Sequence, residues 1–426
     1  MSILDGMCHK YFDPDTAFRE PGGREDSRVS CPYDRVFVVV LDSLGIGAAS
    51  DAEEFGDAGA DTLGHICEKH SGLDVPNLRN LGIANLKQLA GVDPVDAPAG
   101  KYARLMEKSA SKDTMAGHWE MMCRETTSPF ATFPNGFPKE LVEELEGRCG
   151  HKAIGNKVAS GTVILDELGR QSIEEESLIL YTSADSVLQL AASEEAFGLD
   201  ELYRCCEIAR KLTMRDGWKV GRVIARPFTG SEPGKFERTS NRRDYTVEPT
   251  GTTALDVMKK AGLDVIGVGK IGDIFSMRGF TESLHSDSSV HGMRQTQEIA
   301  LRTDWQGMCF VNLVDFDSKW GHRRDPEGYA EEIERFDVEL GKLMEALGER
   351  DLLLLTADHG NDPTYPGSDH TREDVFLLAW SPSMKSGGCL GERSSFGAIG
   401  ATVLDNFGLD LPDDAVGESL LHEIST

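Results

Sequence analysis

The chain has 426 residues, 39% of them hydrophobic and 27% charged, enough apolar mass for a full core spread over two or three domains, so disordered and fibrous classes are excluded. Its 72 acidic against 44 basic side chains leave a formal charge of -28, a field that repels nucleic acid and anionic membrane surfaces. An anionic substrate would need locally clustered Arg and Lys, or bound cations.

Nine scattered cysteines without a C-x-x-C pair make neither a disulfide framework nor a cysteine zinc site, and they fit a reducing cytoplasm. No run approaches the roughly 18 consecutive apolar residues of a membrane span, and Met1–Asp15 lacks a leader pattern. Residues 1–34 are polar, punctuated by Pro and Gly and unpatterned, so a mobile N-terminal extension is expected there.

The first strong element is Arg35–Leu41 (RVFVVVL), a continuous β-branched run of the kind buried on both faces of a parallel sheet. It ends in Asp42-Ser43-Leu44-Gly45-Ile46-Gly47, an acid and glycines where open α/β sheets place their ligands. Further on, Ser111–Glu120 (SKDTMAGHWE) starts a helix at Asp113 or Thr114. Two readings stand side by side. In one, those oxygens simply cap the helix. In the other, Thr114 lies where free N–H groups and the dipole favour a phosphate, and a metal-coordinated hydroxyl there is a nucleophile. Spacing does not choose between them.

From Ser128 to Glu248 the text changes to PFATFPNGFP, short β-like runs (SLILYTS, GRVIARPF) and the polar SEPGKFERTSNRRDY, an α+β insertion. The expected division is therefore an extension over 1–34, core over 35–127, an inserted cap over 128–248 and core again over 249–426. Buried runs return with DVIGVG from Asp264, MCFVNLVDF from Met308, DLLLLTADHG from Asp351 and VFLLAW from Val375. Between the second and third of these, Tyr329, Ile333, Phe336, Leu340, Leu343 and Leu347 recur at spacings of four and three, an amphipathic helix covering one sheet face. Strand, helix, strand gives an α/β core with a mostly parallel sheet flanked by helices.

Three strand ends carry metal-ligand chemistry: Asp315, Asp317 and His322 in VNLVDFDSKWGH, Asp358 and His359 in TADHG, and His370 after a Pro- and Gly-containing loop. With Asp42 they could hold two divalent ions, as in-line phosphoryl transfer commonly requires. The mixed oxygen and nitrogen donors suit manganese or zinc better than calcium. Singly, each such Asp reads as well as a cap and each His as a satisfied core residue. Their clustering after buried strands is what points to metal.

The strings VVLDSLGIGAASDA, GADTLGHI, SKDTMAGHWEMM, YTSADSVLQLAA, NLVDFDSKWGHRRDPEGYA and TADHGNDPTYPGSDHTRE resemble the prokaryotic phosphopentomutases of the alkaline phosphatase superfamily, from about Arg35 to the C-terminus. The resemblance implies an alkaline-phosphatase-like core with an inserted cap, and interconversion of α-D-ribose 1-phosphate and D-ribose 5-phosphate, or the 2-deoxyribose pair, in nucleoside salvage and catabolism. It implies Thr114 as the phosphoryl carrier, one metal on Asp317, His322 and His370, and another on Asp42, Asp358, His359 and the Thr114 oxygen, both most often manganese. A sugar bisphosphate would prime the enzyme. Ser183, Asp185, Arg222 and Arg238 match sugar-phosphate contacts in the cap, and Lys270 matches a phosphate-facing core lysine. Arg323 and Arg324, beside His322, are further candidates or else a structural ion pair. The partners so implied are small pentose phosphates, with no nucleic acid, membrane or obligate protein partner. Two departures stand out: relatives usually begin near the first strand, and after HTRE they more often carry an aromatic residue and a proline where this chain has DVFLLAW.

Overall fold

The protein is described by a computed structural model covering residues 30–183, 186–215, 217–367 and 369–426. It divides into two compact units, one joining the chain up to Thr127 with Pro249–Thr426, the other formed by Ser128–Glu248. In chain order the strands are β1 (Arg35–Leu41) and β2 (Lys101–Leu105) in the first unit; β3 (Ala153–Val158), β4 (Leu178–Thr182), β5 (Val187–Ser193), β6 (Arg222–Thr229), β7 (Glu237–Arg238) and β8 (Arg243–Thr246) in the second; then β9 (Asp264–Gly269), β10 (Glu282–Leu284), β11 (Gly307–Leu313), β12 (Asp351–Thr356), β13 (Val375–Trp380) and β14 (Gly388–Arg393) in the first again.

The first unit's eight-stranded sheet has the order β10-β9-β11-β1-β12-β13-β2-β14. At its centre β1 runs parallel to β11, Val38 opposite Phe310, and to β12, Val38 opposite Leu354. Every residue of β1 after Arg35 is buried, because both faces are covered, which is why the strand reads as an unbroken apolar run. One cover is the helix Pro326–Ala346, which buries Tyr329, Ile333, Phe336, Leu340 and Leu343. Its start is fixed by Pro326 in the first turn and by the Asp325 carboxylate, which accepts from the Gly328 N–H.

Two features differ from the sequence expectation. The apolar run of β13 looks like another parallel strand, yet it pairs antiparallel with both β12 and β2. Among the described residues no helix intervenes between Thr356 and Val375, and without a crossover helix a returning strand lies antiparallel. The second difference is at the N-terminus. Residues 30–34, assigned by sequence to the extension, are tied into the core: Cys31 and Tyr33 are buried. The Tyr33 N–H donates to Asn406 Oδ1 at 2.9 Å while Asn406 Nδ2 donates to Tyr33 O at 2.8 Å. Asp34 holds Arg350 at 2.6 Å. Polarity hid the one aromatic anchor in that stretch; the rest of the expected extension, 1–29, lies outside the described residues.

In the second unit a sheet of order β3-β4-β5-β6-β7, with β8 also on β6, mixes parallel and antiparallel pairs. One face packs Leu178, Leu188, Leu190 and Val223 against the helices Lys139–Cys149 and Leu199–Leu212. The other packs Ile179, Tyr181 and Phe228 against the helix Gly161–Glu175. The eight cysteines among the described residues are all free thiols. No helix among the described residues is long and apolar enough to cross a membrane.

Candidate active site

Adjacent strands in the order β9-β11-β1-β12 deliver Lys270, Asp317, Asp42 and the pair Asp358–His359 just past their carboxyl ends. The local backbone is unusual at two of these points. Ser43, directly after Asp42, has φ 72, a left-handed conformation costly for a non-glycine. It is held there because its N–H donates to Asp358 Oδ1 at 2.9 Å and its hydroxyl pairs with Tyr329 at 3.0 Å. Asp317 lies in a single π-helical turn, Phe316–Gly321, closed by the His322 N–H donating to Asp317 O at 2.9 Å. That wider turn presents Asp317 and His322 to the same point.

Two overlapping ligand groups result. Asp317, His322 and His370 converge within 4.8 Å, and so do Asp42, Asp317 and His359. Asp317 is thus shared between them, with its Oδ2 3.2 Å from His322 Nε2 and its Oδ1 3.4 Å from His370 Nε2. Asp358 joins through Oδ2, 3.4 Å from His359 Nε2. Asp315, the remaining acid of that run, instead accepts from Lys319 and from the Ser289 N–H.

The electrostatics of the cluster are those of a site short of positive charge. Burial, reinforced by Asp358 and Asp317, pushes the Asp42 carboxyl well above its usual range, with Lys270 opposing. Burial acts the same way on Asp358 and Asp317, but there neighbouring imidazoles win. His359 and His118 hold Asp358 down at about 2, and His370 and His322 hold Asp317 well below its usual range. Asp42 Oδ1 and Asp358 Oδ2 are buried and accept no hydrogen bond. Ionising both carboxyls in that setting costs several kcal/mol, on the order usual for unpaired buried charge, which is what pushes Asp42 up. Divalent cations fit this set of carboxylate oxygens faced by imidazole nitrogens, with His118 Nδ1 3.2 Å from Asp358 Oδ2 and His359 Nε2 3.5 Å from Asp42 Oδ1.

Thr114 opens the helix Thr114–Met121. Asp113 is its cap, Oδ1 accepting from Met115 N at 3.0 Å and Ala116 N at 3.1 Å. The Thr114 hydroxyl is therefore not spent on capping and lies 3.1 Å from His359 Nε2. Gly117 permits this approach: a Cβ there would collide with the Asp358 carbonyl.

Several residues that sequence reasoning passed over hold the cluster. His118 is fully buried. Its Nδ1 donates to Thr114 O at 2.8 Å, which leaves Nε2 to accept from Asn312 Nδ2 at 3.3 Å. Asn312 also donates to Asp42 Oδ2 at 2.9 Å, and Asn361 donates to Asp317 Oδ1 at 2.7 Å. A lone polar residue inside an apolar strand, such as Asn312 in MCFVNLV, was the only signal for any of them.

In the second unit, Ser183 follows β4 directly, while Asp185 lies outside the described residues. Arg222 begins β6, 3.8 Å from Asp244, and Arg238 ends β7 opposite Phe228. The Arg238 guanidinium lies where a Cβ on Gly161 would be. Between them Arg226, not singled out by sequence, is half-buried and donates from Nε to Gln189 Oε1 at 3.1 Å. It has no carboxylate partner among the described residues, since nearby Asp244 is taken by Arg242 at 2.7 Å.

A mostly parallel α/β sheet with a buried carboxylate and imidazole cluster at its strand ends defines a metal-dependent enzyme, and residues 34–411 match the model of the Metalloenzyme superfamily. A phosphopentomutase of Clostridium perfringens is 59% identical over 393 residues, 92% of this chain and 99% of that one; another, of Agathobacter rectalis, is 58% identical over the same shares. The chain belongs to the phosphopentomutase family, and with it to the isomerases. Among solved structures, a phosphoglycerate mutase of Leishmania mexicana shares 12% identity at a TM-score of 0.43, covering 93% of this chain and 98% of that one, too distant to bear on the activity.

Proposed function

We propose that the chain interconverts α-D-ribose 1-phosphate and D-ribose 5-phosphate, and the 2-deoxyribose pair, through a phospho-Thr114 enzyme and a ribose 1,5-bisphosphate intermediate, in cytoplasmic nucleoside salvage and catabolism. The observation that carries this is the Thr114 hydroxyl, free of capping duty, at a helix N-terminus and 3.1 Å from His359 in the acidic cluster. Asp317, His322 and His370 would hold one cation, and Asp42, Asp358, His359 and the Thr114 oxygen another. Manganese is the first choice for such mixed donors. The chemistry a cation pair supplies in such a cluster is Lewis acidity toward phosphoryl oxygens and the threonine oxygen.

Thr114 carries the phosphoryl group, and the P–Oγ bond breaks as a bond forms to O5 of ribose 1-phosphate. The bisphosphate then turns end for end, so that Thr114 regains a phosphoryl group from O1 and ribose 5-phosphate departs. Lys270, whose charge bears on Asp42, is assigned to a phosphate of the substrate. Ser183, Asp185, Arg222 and Arg238 are assigned to sugar-phosphate contacts. A bisphosphorylated sugar would prime dephosphorylated enzyme, and no macromolecular partner is required.

Intact-mass measurement and a ribose 1-phosphate assay test the proposal together. A phosphate-sized increment absent from Thr114→Ala, with ribose 5-phosphate formed by the wild type, supports it. Near-normal turnover by metal-loaded Thr114→Ala sinks it. Turnover of 3-phosphoglycerate instead, or inorganic phosphate released in step with sugar-phosphate loss, would favour a phosphoglycerate mutase-like enzyme or a phosphatase.

A further inference from the structure

Arg324 follows His322 by two residues and adopts φ 56, left-handed backbone that a non-glycine takes only where its surroundings impose it. It forms no ion pair among the described residues. Its guanidinium instead donates to oxygens of a single loop: Nε to Gly367 O at 2.7 Å, Nη2 to Asp369 O at 3.0 Å, and Nη1 to both Asp362 O and Asn361 Oδ1 at 2.7 Å. One planar fork thereby ties both ends of the loop that leads into His370.

The bond to Asn361 has a consequence for the acid cluster. Asn361 is fully buried, and its backbone N–H is fixed by Ser43 O and Thr62 Oγ1, both at 3.1 Å. With Oδ1 claimed by Arg324, the amide can turn only one way, and Nδ2 must donate to Asp317 Oδ1 at 2.7 Å. Space for it comes from Gly321, where a Cβ would stand 2.8 Å from Asn361 Nδ2. Turned over, the amide would set an acceptor against a carboxylate oxygen, and Asp317 would have to rotate away from His322 and His370.

We propose that Arg324 is a positioning residue which, acting through the Asn361 amide, fixes the orientation of the Asp317 carboxylate for cation binding. The proposal rests on the reading of Asp317, His322 and His370 as a cation site. Neighbours of this kind that orient a ligand typically govern metal affinity by roughly 10- to 100-fold.

The test is calorimetric titration of manganese into chelator-stripped wild type, Arg324→Gln, Asn361→Ala and the double variant, with melting in chelator measured alongside. Each single variant should bind one manganese roughly 10- to 100-fold more weakly. The double variant should be no weaker than the worse single one, because links of one chain are not additive. Arg324→Gln binding manganese like the wild type, or a double loss equal to the product of the two single losses, overturns the proposal. A role through the loop and His370 alone would leave Asn361→Ala at wild-type affinity, which also overturns it. Should Arg324→Gln fail to fold, Asn361→Ala keeps the three carbonyl bonds of Arg324, and wild-type affinity in that variant overturns the proposal. Wild type taking up no manganese at all overturns the cation reading and this proposal with it.

Discussion

The Thr114 hydroxyl faces Nε2 of His359 across 3.1 Å, while Nδ1 of the same ring donates to Gly360 O at 3.0 Å. A carbonyl can only accept, so Nδ1 carries a proton and Nε2 is the ring atom turned toward Thr114 and the cluster. Replacing Thr114 by Ala should therefore remove the phosphoryl carrier without disturbing His359. Turnover is expected to fall by roughly 10000-fold or more, as for loss of other nucleophiles. Thr114→Ser keeps the oxygen but loses the stiff β-branched rotamer, and should remain phosphorylatable with turnover lowered roughly 10- to 100-fold. Steady-state rates beside intact masses check both.

Asp42 and Asp358 form a buried acidic pair, and each has an oxygen that accepts nothing. In the metal-free protein that arrangement is a liability, because ionising Asp42 beside Asp358 is what burial opposes, and Asp42→Asn removes the need to ionise it. The variant should melt above the wild type in chelator, by an amount equivalent to about 1–3 kcal/mol, the cost of a buried unsatisfied polar group. In excess manganese the order should reverse, since the wild type gains about 2.7 kcal/mol per site at a cation concentration 100 times its Kd. Thermal melts with and without manganese measure both arms. An Asp42→Asn variant less stable than the wild type in chelator would contradict the account.

What could be seen in the sequence and what could not follows from how each feature is encoded. Strands β1, β11 and β12 are buried on both faces, so their apolar runs stand out, and Asp42, Asp317 and Asp358 mark their ends. The direction of β13 was hidden because its pairing depends on the missing crossover helix, not on its own composition. His118, Asn312 and Asn361 matter through bonds to residues far away in the chain, the Asn312 to Asp42 bond spanning 270 positions. A local pattern carries no trace of such a bond. Arg226 was passed over for the same reason: nothing in GRVIARPF separates it from Arg222.

His65 and Asp362 meet at 2.6 Å between Nδ1 and Oδ2. Burial works against the charged imidazole, but the Asp362 hydrogen bond and charge outweigh it and raise the His65 pKa. Burial likewise opposes the Asp362 carboxylate, yet the Asp61 N–H and His65 pull its pKa down. The raised histidine contributes stability present below its unfolded pKa, roughly 6.5, and lost as pH climbs through the folded value. The lowered acid contributes stability present above roughly 3.9 and lost as pH falls through its folded value. The pair should thus stabilise most between about pH 4 and 6.5. Urea denaturation at pH 6 and pH 8 should show a larger loss at the higher pH for the wild type than for His65→Gln. Equal losses would mean the pair contributes nothing measurable.

Arg226 offers the sharpest separation of function from stability. Burial, with Arg242 and Arg238 close by, pushes its pKa below the usual arginine range, and its guanidinium donates to the neutral Gln189. A half-buried cation among cations, in a chain of formal charge -28, is an unfavourable arrangement for folding alone. It makes sense if an anion shares the space, because a guanidinium can then give charge-assisted hydrogen bonds to a phosphate. Arg226→Gln should lower kcat/KM for ribose 5-phosphate roughly 10- to 100-fold, mainly through KM, matching the 1.5–3 kcal/mol typical of a hydrogen bond to a charged group. Melting of the substrate-free protein should be unchanged or higher, and manganese binding unaltered. Steady-state kinetics set beside thermal melts decide it: an unchanged KM together with a lower melting temperature would mark Arg226 as a structural residue and remove it from the substrate site.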